Sequence, residues 1–390
     1  MLLPVHPQPF QGELLSSWMV RLAFSNVFAL HTFYFSLLGY RAPIWNRDID
    51  RHPPFTLLKI LQNYTQQTPL AIQSLTLEYY EGILFEALPI FGDTAWLLPA
   101  GIYHRTRRRA GIQFCPLCLK NDIEPYYRRV WRLAFCTVCR EHCCLMLQHC
   151  PNCDSPVVFH RHGMGRIKNT ETFALRLCHC CGFDLGMAEP TQVNWPDEES
   201  RSIMCGLLNI LDGDDWSGRL PSLCSPLSFF YGLRILLGAI GGRNGEKVRV
   251  SLSARLGFKI EAEPNLDFEY QSTKARFNLL TAGLWLVSDW PLRFVEVFHE
   301  AGFTRSRFSD NLHSHPYWLY VQVALNLDTR PYLPSDPEIA AAANFLVASK
   351  IAVTTESLGG LMGIKSDLAR RAVVNWKANR SRSDNTQSDG

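Results

Sequence analysis

The 390-residue sequence lacks a strong excess of charge of either sign and lacks a long hydrophobic run. Its formal net charge is only +3, so any contact with nucleic acid would have to come from local clusters of basic residues. The most apolar window, 229–240, contains Arg234 and is far shorter than the roughly 20 apolar residues of a membrane-spanning helix. The first residues show neither the basic nor the apolar segment of a secretory signal. These absences predict a cytoplasmic protein that makes no membrane contact.

The sequence also lacks the motifs of common catalytic sites. It contains no Gly-x-Ser-x-Gly nucleophile elbow, no His-Glu-x-x-His pair and no recognisable set of carboxylates for two-metal phosphoryl chemistry. The glycine-rich stretch 241–247 resembles a phosphate-binding loop only superficially, because Val248 follows Lys247 where Ser or Thr is required. We therefore predict that the protein is not an enzyme.

Cysteine, by contrast, is abundant and clustered. Of the 13 cysteines, eleven lie between Cys115 and Cys181. An odd number cannot pair completely in disulfides, and clustered cysteines in a reducing cytosol are typical of metal binding. Two residues between a pair of cysteines form a tight turn that brings both thiolates to one ion at about 2.3 Å. Four such Cys-x-x-Cys pairs follow one another: Cys115/Cys118, Cys136/Cys139, Cys150/Cys153 and Cys178/Cys181.

Two zinc ions account for this pattern, because a structural zinc takes four ligands. The predicted ligands of the first ion are Cys115, Cys118, Cys139 and His142, and those of the second are Cys150, Cys153, Cys178 and Cys181. Cys136 could replace His142 in the first set, and His179 or Cys180 could replace Cys181 in the second. A catalytic zinc keeps one position open for water. Since both sets are full, the predicted role of the zinc is structural.

Hydrophobic periodicity and turn residues predict a mainly α chain with five regions. These are an N-terminal helical, helix-turn-helix-like domain (1–100), a zinc-finger region with two sites and short strands such as 127–135 (101–190), a polar linker (191–225), a C-terminal helical domain with a helix-turn-helix-like end (226–379) and a disordered tail (380–390). Helices are expected at 55–64, from Thr68-Pro69 onward, and at 229–240, 274–287, 291–301, 316–325 and 337–350.

A cluster of arginines near the first cysteines is a candidate contact with nucleic acid or a protein partner. Residues 101–150 hold nine Lys or Arg against three acids. The arginines interleave with Tyr126, Tyr127 and Trp131, as phosphate attraction combined with base stacking would require. The same guanidinium groups could bind carboxylates of another protein. The candidate residues are Arg105, Arg107, Arg108, Arg109, Arg128, Arg129 and Arg132.

A second basic cluster lies near the C-terminus. A short helix over 355–362, a turn at Gly363 and a helix beginning at Ser366 are typical of a helix-turn-helix unit. The second helix would bury Leu368, Ala372, Val373 and Trp376 and would leave Arg370, Arg371 and Lys377 exposed. These outward residues are candidates for contact with DNA, RNA or a protein.

The first half carries two ordered sets of residues that point to one family. The opening contains Leu3-Pro4-Val5, Gly12-Glu13-Leu14-Leu15-Ser16-Ser17-Trp18, Arg21-Leu22-Ala23 and Asn26. The middle contains Cys115-Pro116-x-Cys118, Tyr127, Trp131-Arg132, Cys139-x-x-His142, Leu147 and Cys150-Pro151-x-Cys153. The opening resembles the start, and the middle the zinc region, of TniQ-family transposition proteins. This resemblance implies a target-selection factor of a Tn7-like bacterial transposon.

In its length the chain looks most like family members that work with a CRISPR Cascade effector. The resemblance implies a homodimer that binds Cascade subunits and their guide RNA and connects them to an AAA+ transposition regulator, which recruits the transposase. Because the guide RNA reads the target sequence, such an adaptor needs protein and backbone contacts more than base contacts, and its contact with target DNA would be indirect. The alternative is a TnsD-like protein that binds its target site directly and sequence-specifically.

Overall fold

The computed structural model describes residues 2–103, 106–107, 109–162, 174–214, 224–263, 266–308, 315–327, 334–364 and 366–386. The fold is mainly helical, as the sequence predicts. Strands β1 (Ile102–Tyr103) and β2 (Thr106–Arg107) form a short antiparallel pair. The helices are α1 (Leu15–Ser25), α2 (Leu30–Thr32), α3 (Phe55–Thr65), α4 (Pro69–Gln73), α5 (Pro116–Asn121), α6 (Glu198–Asp212), α7 (Pro226–Gly241), α8 (Glu246–Leu256), α9 (Thr273–Ser288), α10 (Leu292–Glu300), α11 (Arg305–Phe308), α12 (Tyr317–Asn326), α13 (Asp336–Ala348), α14 (Thr355–Met362) and α15 (Ser366–Thr386).

Several helices begin at capping residues that are visible in the sequence. The Thr68 side chain accepts a hydrogen bond from the Ala71 N–H at 3.1 Å, and Pro69 takes the first helical position of α4. Ser225 and Ser272 cap α7 and α9 in the same way. A cap satisfies a backbone N–H that has no partner within the helix. The helices predicted at these positions are confirmed.

The chain divides into two compact units, Met1–Leu327 and Asp328–Gly390. The first unit includes the predicted N-terminal and zinc regions, the predicted linker and residues 226–327. Within the predicted linker, α6 begins after Asp197, whose carboxylate accepts the Ser200 N–H at 2.6 Å. This helix packs its apolar face against α9. The five-region division made from the sequence stays a prediction.

The strand predicted at 127–135 is wrong. Arg129–Arg132 form a 3-10 turn, flanked by single β-bridges that join Arg128 to Glu13 and Leu133 to Leu97. Every residue from 129 to 135 is buried. The aromatic and branched residues that suggested a strand are explained by burial, because the segment is enclosed on all sides. Periodicity alone does not distinguish such a buried segment from a strand of a sheet.

One hydrophobic core joins the cysteine-rich segment to the helices that follow it. Trp96 meets Phe135, Phe230 and Phe268 edge-on, with ring centroids 5.7, 5.9 and 5.4 Å apart. Arg276 of α9 is fully buried and donates to the Ala134 carbonyl at 2.6 Å. These contacts hold the segment with the candidate metal ligands on a helical scaffold.

The second unit contains α13, α14 and α15. The three helices pack around Ile339, Ala343, Leu346, Leu358, Ala372 and Val373. Gly363 ends α14 with φ +64°, a conformation that glycine adopts without strain. The helix, turn and helix predicted here are confirmed. No Gly or Pro interrupts the sequence after Ser366 until Gly390, and α15 accordingly continues to Thr386. Residues 380–386, predicted as a disordered tail, are therefore helical, while 387–390 lie outside the described residues.

None of the helices in the described part of the chain is long and apolar enough to cross a membrane.

Candidate metal centres

The four predicted ligands of the first ion come together beside α5. Their ligand atoms all lie within 4.8 Å of one another. The Cys118 and Cys139 sulfurs are 3.6 Å apart, and the Nδ1 atom of His142 lies 3.6, 3.4 and 3.5 Å from the sulfurs of Cys115, Cys118 and Cys139. A tetrahedral zinc with the usual bond lengths separates its ligand atoms by about 3.5–3.8 Å. The geometry and chemistry of this set fit zinc.

The four predicted ligands of the second ion are also gathered, within 4.8 Å of one another. The Cys150 and Cys181 sulfurs are 3.6 Å apart, and those of Cys153 and Cys178 are 3.7 Å apart. Four thiolates at this spacing again fit tetrahedral zinc. All ligands of the first set precede all ligands of the second along the chain, so each ion would close its own stretch of residues.

Three of the four ligand pairs share one backbone turn, which we call the knuckle. In each, the N–H of the residue after the second ligand donates to the carbonyl of the first ligand at 2.9 Å, as Cys143 does to Cys139, Asp154 to Cys150 and Gly182 to Cys178. That residue has positive φ in all three cases: +51° at Cys143, +53° at Asp154 and +77° at Gly182. Because Cys139 and His142 form the same turn as two Cys-x-x-Cys pairs, the backbone supports this pairing.

The fourth pair is held by a helix start instead of a knuckle. Cys115 is the N-cap of α5, and its sulfur accepts the Cys118 N–H at 3.5 Å. Pro116 occupies the first helical position, where a missing N–H costs nothing. The helix therefore fixes both sulfurs on one side of the site.

The alternative ligands lie outside both groups. The Cys136 sulfur is directed at the Val138 carbonyl, 3.7 Å away, and is not among the gathered ligand atoms of the first site. His179 and Cys180 are half-buried and do not belong to the second group. The structure thus favours His142 and Cys181 over these alternatives.

The surroundings of two ligands favour their neutral thiols. Hydrogen bonding with Cys115 is the largest cause raising the pKa of Cys139 to about 12, and burial is the largest cause raising the pKa of Cys178. A dication would reverse both effects, because it favours the thiolates. The Asn121 amide lies 3.3 Å from Nε2 of His142 and can orient the ring from outside, a contact that no sequence pattern indicates.

Three of the predicted binding arginines are committed to intramolecular partners. Arg128 forms a bidentate pair with Asp122 at 3.0 and 3.1 Å, and Arg132 pairs with Asp48 at 2.6 Å and Asp50 at 3.3 Å. Arg129 is buried, donates to the Ser74 carbonyl and lies over the Tyr79 ring. These guanidinium groups hold loops of the first unit together, which leaves them little capacity for a phosphate.

The remaining predicted binding residues differ in what the structure describes of them. Arg105 and Arg108 lie outside the described residues, and only the backbone of Arg107 is described, in β2. Arg109 is exposed, with its guanidinium 4.1 Å from the centroid of the Tyr270 ring. In the second unit, Arg370, Arg371 and Lys377 are exposed on α15, while Ala372 and Val373 are buried and Leu368 and Trp376 half-buried.

Replacing Cys143 by glycine is expected to stabilise the protein by about 0.5–1 kcal/mol, because Gly adopts a positive φ without the cost that a side chain incurs. Urea unfolding of the zinc-loaded protein measures the change. Gly182→Ala at the equivalent position of another knuckle should destabilise by a similar amount. Equal stability of Cys143→Gly and the parent chain would contradict the strain that we assign to this turn.

Residues 4–146 of the chain match the TniQ family model. This segment includes every ligand of the first site and ends before the first ligand of the second. No curated protein matches the chain.

Proposed function

Because residues 4–146 match the TniQ family model, we propose that the chain is a non-enzymatic adaptor for RNA-guided DNA transposition. The family implies a role in selecting the target of transposition. In our proposal the chain links a CRISPR Cascade effector complex to the transposon's AAA+ regulator and through it to the transposase. It acts as a homodimer in the bacterial cytoplasm and reaches target DNA through the effector and its guide RNA.

The observation that carries the adaptor proposal is the way the central region is built. Two full sets of metal ligands and the internally paired Arg128, Arg129 and Arg132 make it a fixed block. We propose two structural zinc ions for these sites. Each would supply cross-linking alone, since four protein ligands leave no position for water or substrate. A block of this kind suits docking between larger partners.

Copurification tests the adaptor proposal. The tagged full-length chain, coexpressed with Cascade subunits and guide RNA from a Tn7-like transposon, should retain the effector subunits and RNA of the guide's sequence. Coexpression with a Cascade that belongs to no transposon is the control and should give no retention. Recovery of equal amounts of both complexes, or of neither, would contradict the proposal.

A second candidate function, direct binding to duplex DNA, is favoured by the second unit. Helix α15 packs on α14 and α13 and leaves Arg370, Arg371, Asn375 and Lys377 exposed on one element. Helix-turn-helix proteins place such a helix in the major groove, with basic side chains on phosphates. Under this reading the chain finds its target site without an effector.

Changing Arg370, Arg371 and Lys377 together to alanine separates the two candidates. If α15 binds duplex DNA, affinity should fall and the slope of log affinity against log salt should decrease by about 2–3, because each lost phosphate contact removes about 0.9. Gel shifts with labelled duplex at several salt concentrations provide the measurement. The exposed residues Lys59, Lys247 and Lys274 serve as a control, since changing them to alanine removes the same charge from the first unit.

The gel-shift and copurification results together distinguish the two candidate functions. Tight, sequence-selective binding of duplex by the parent chain alone, lost in the α15 variant, would establish the direct binder and contradict the adaptor. Absence of selective binding by the parent chain, together with copurification of Cascade, would do the reverse.

A further inference from the structure

Cys144 lies beside the first metal site without belonging to its four ligands. Its side chain is fully buried, and its sulfur is 3.5 Å from that of Cys115. Two thiolates on one tetrahedral zinc are about 3.8 Å apart. The first site therefore has a fifth sulfur in contact with one of its ligands.

The knuckle itself does not require a cysteine at this position. In each knuckle, the N–H of the first ligand donates to the backbone carbonyl of the residue five places later. These bonds run from Cys139 to Cys144 at 2.8 Å, from Cys150 to Ser155 at 2.9 Å and from Cys178 to Phe183 at 2.8 Å. The Ser155 hydroxyl is directed at a backbone carbonyl, and Phe183 packs on the hydrophobic core. Of these three residues, Cys144 is the one whose side chain places a sulfur beside a ligand sulfur.

His142 is the ligand that a fifth donor could most readily replace. It is half-buried, whereas Cys115, Cys118 and Cys139 are buried. A ring at the rim can swing toward solvent without moving the core, while the three sulfurs are fixed by the helix start and the knuckle. Cys144 approaches the site from the buried side, next to Cys115.

We propose that Cys144 is a reserve ligand of the first metal site, which takes the fourth position when His142 leaves. The inference rests on the proposed zinc. In the exchange, the metal–nitrogen bond breaks and the imidazole leaves neutral. The Cys144 thiol gives its proton to water, and a sulfur lone pair forms the new bond. No electrons are transferred. The zinc and its ligands gain one negative charge.

Metal content of the purified full-length protein tests the reserve ligand. Parent chain and His142→Ala should both hold about two ions, while His142→Ala/Cys144→Ser should hold about one. After cobalt replaces zinc, His142→Ala should show stronger thiolate-to-cobalt absorption than the parent, because a fourth thiolate has joined the first site. A drop to about one ion in His142→Ala alone would overturn the proposal.

Cys144→Ser keeps all four main ligands and covers the case in which His142→Ala does not fold. Zinc should pass from it to a chelating dye several-fold faster than from the parent chain. Cys136→Ser is the matched control, since Cys136 is an equally buried cysteine of the same segment whose sulfur meets a carbonyl. Identical release from Cys144→Ser and Cys136→Ser would overturn the reserve role. A parent chain without metal would instead contradict the proposed zinc sites themselves.

Discussion

Cys118→Ser and Cys153→Ser are each expected to lose one zinc ion and several kcal/mol of stability. Each substitution removes one of four ligands, and a structural ion that is lost takes its binding free energy from the folded state. Because a native domain is stable by only ~5–15 kcal/mol, a loss of this size lowers solubility and unfolds the affected segment. Elemental analysis of the purified chains, with circular dichroism during heating, measures both effects.

The two variants should differ in where they unfold. Cys118 is buried and belongs to the site beside α5, within the main core, whereas Cys153 is exposed. We therefore expect the larger fall in melting temperature for Cys118→Ser. Cys205→Ser is the control, because Cys205 lies in α6 and belongs to neither group of ligands. Retention of about two ions by both ligand variants would show that the assigned ligands are wrong.

Arg132→Ala is expected to destabilise the first unit by about 3–5 kcal/mol, because it leaves two carboxylates without their buried cation. Arg132 is 5% exposed and bridges Asp48 and Asp50, which lie far from it in sequence. Urea unfolding gives the change in free energy. Arg109→Ala provides the matched control, since Arg109 is exposed and should cost less than about 0.5 kcal/mol.

The destabilisation caused by Arg132→Ala should also depend on pH. Burial, followed by repulsion from Asp48, raises the pKa of Asp50 to about 6, and Arg132 opposes this rise. A carboxyl with a raised folded-state pKa stabilises the protein at low pH and loses that contribution as pH increases through the raised value. Without Arg132 the pKa of Asp50 rises further, so the destabilisation should be larger at pH 8 than at pH 5. A destabilisation that is small and independent of pH would contradict the structural role of Arg132. Arg132 would then again be a candidate for an external contact.

The sequence predicted most of the helices and the ligand groups because both depend on short-range patterns. A cap such as Thr68-Pro69 or a Cys-x-x-Cys turn is specified within a few residues. Gly363 and the apolar face of α15 likewise specified the helix, turn and helix of the second unit. These features need no knowledge of distant contacts.

The roles of the arginines could not be predicted in this way. Arg128, Arg129 and Arg132 follow aromatic residues in a basic segment, and the sequence alone suggested a surface that binds phosphate. Their partners include Asp48 and Ser74, which only the fold brings near. The strand predicted at 127–135 is wrong for the same reason, since burial by non-local neighbours resembles a sheet in its composition.

The sequential order of the two ligand sets has a consequence for how metal shortage would affect the chain. Neither ion needs the other's ligands, so a molecule with a single ion is possible, in which one group of ligands is cross-linked and the other is not. The first site lies in the main core, and losing its ion would disturb packing as far as α9. Losing the second ion would instead release the stretch from Cys150 to Cys181, of which Cys150 and Cys178 reach into the same core.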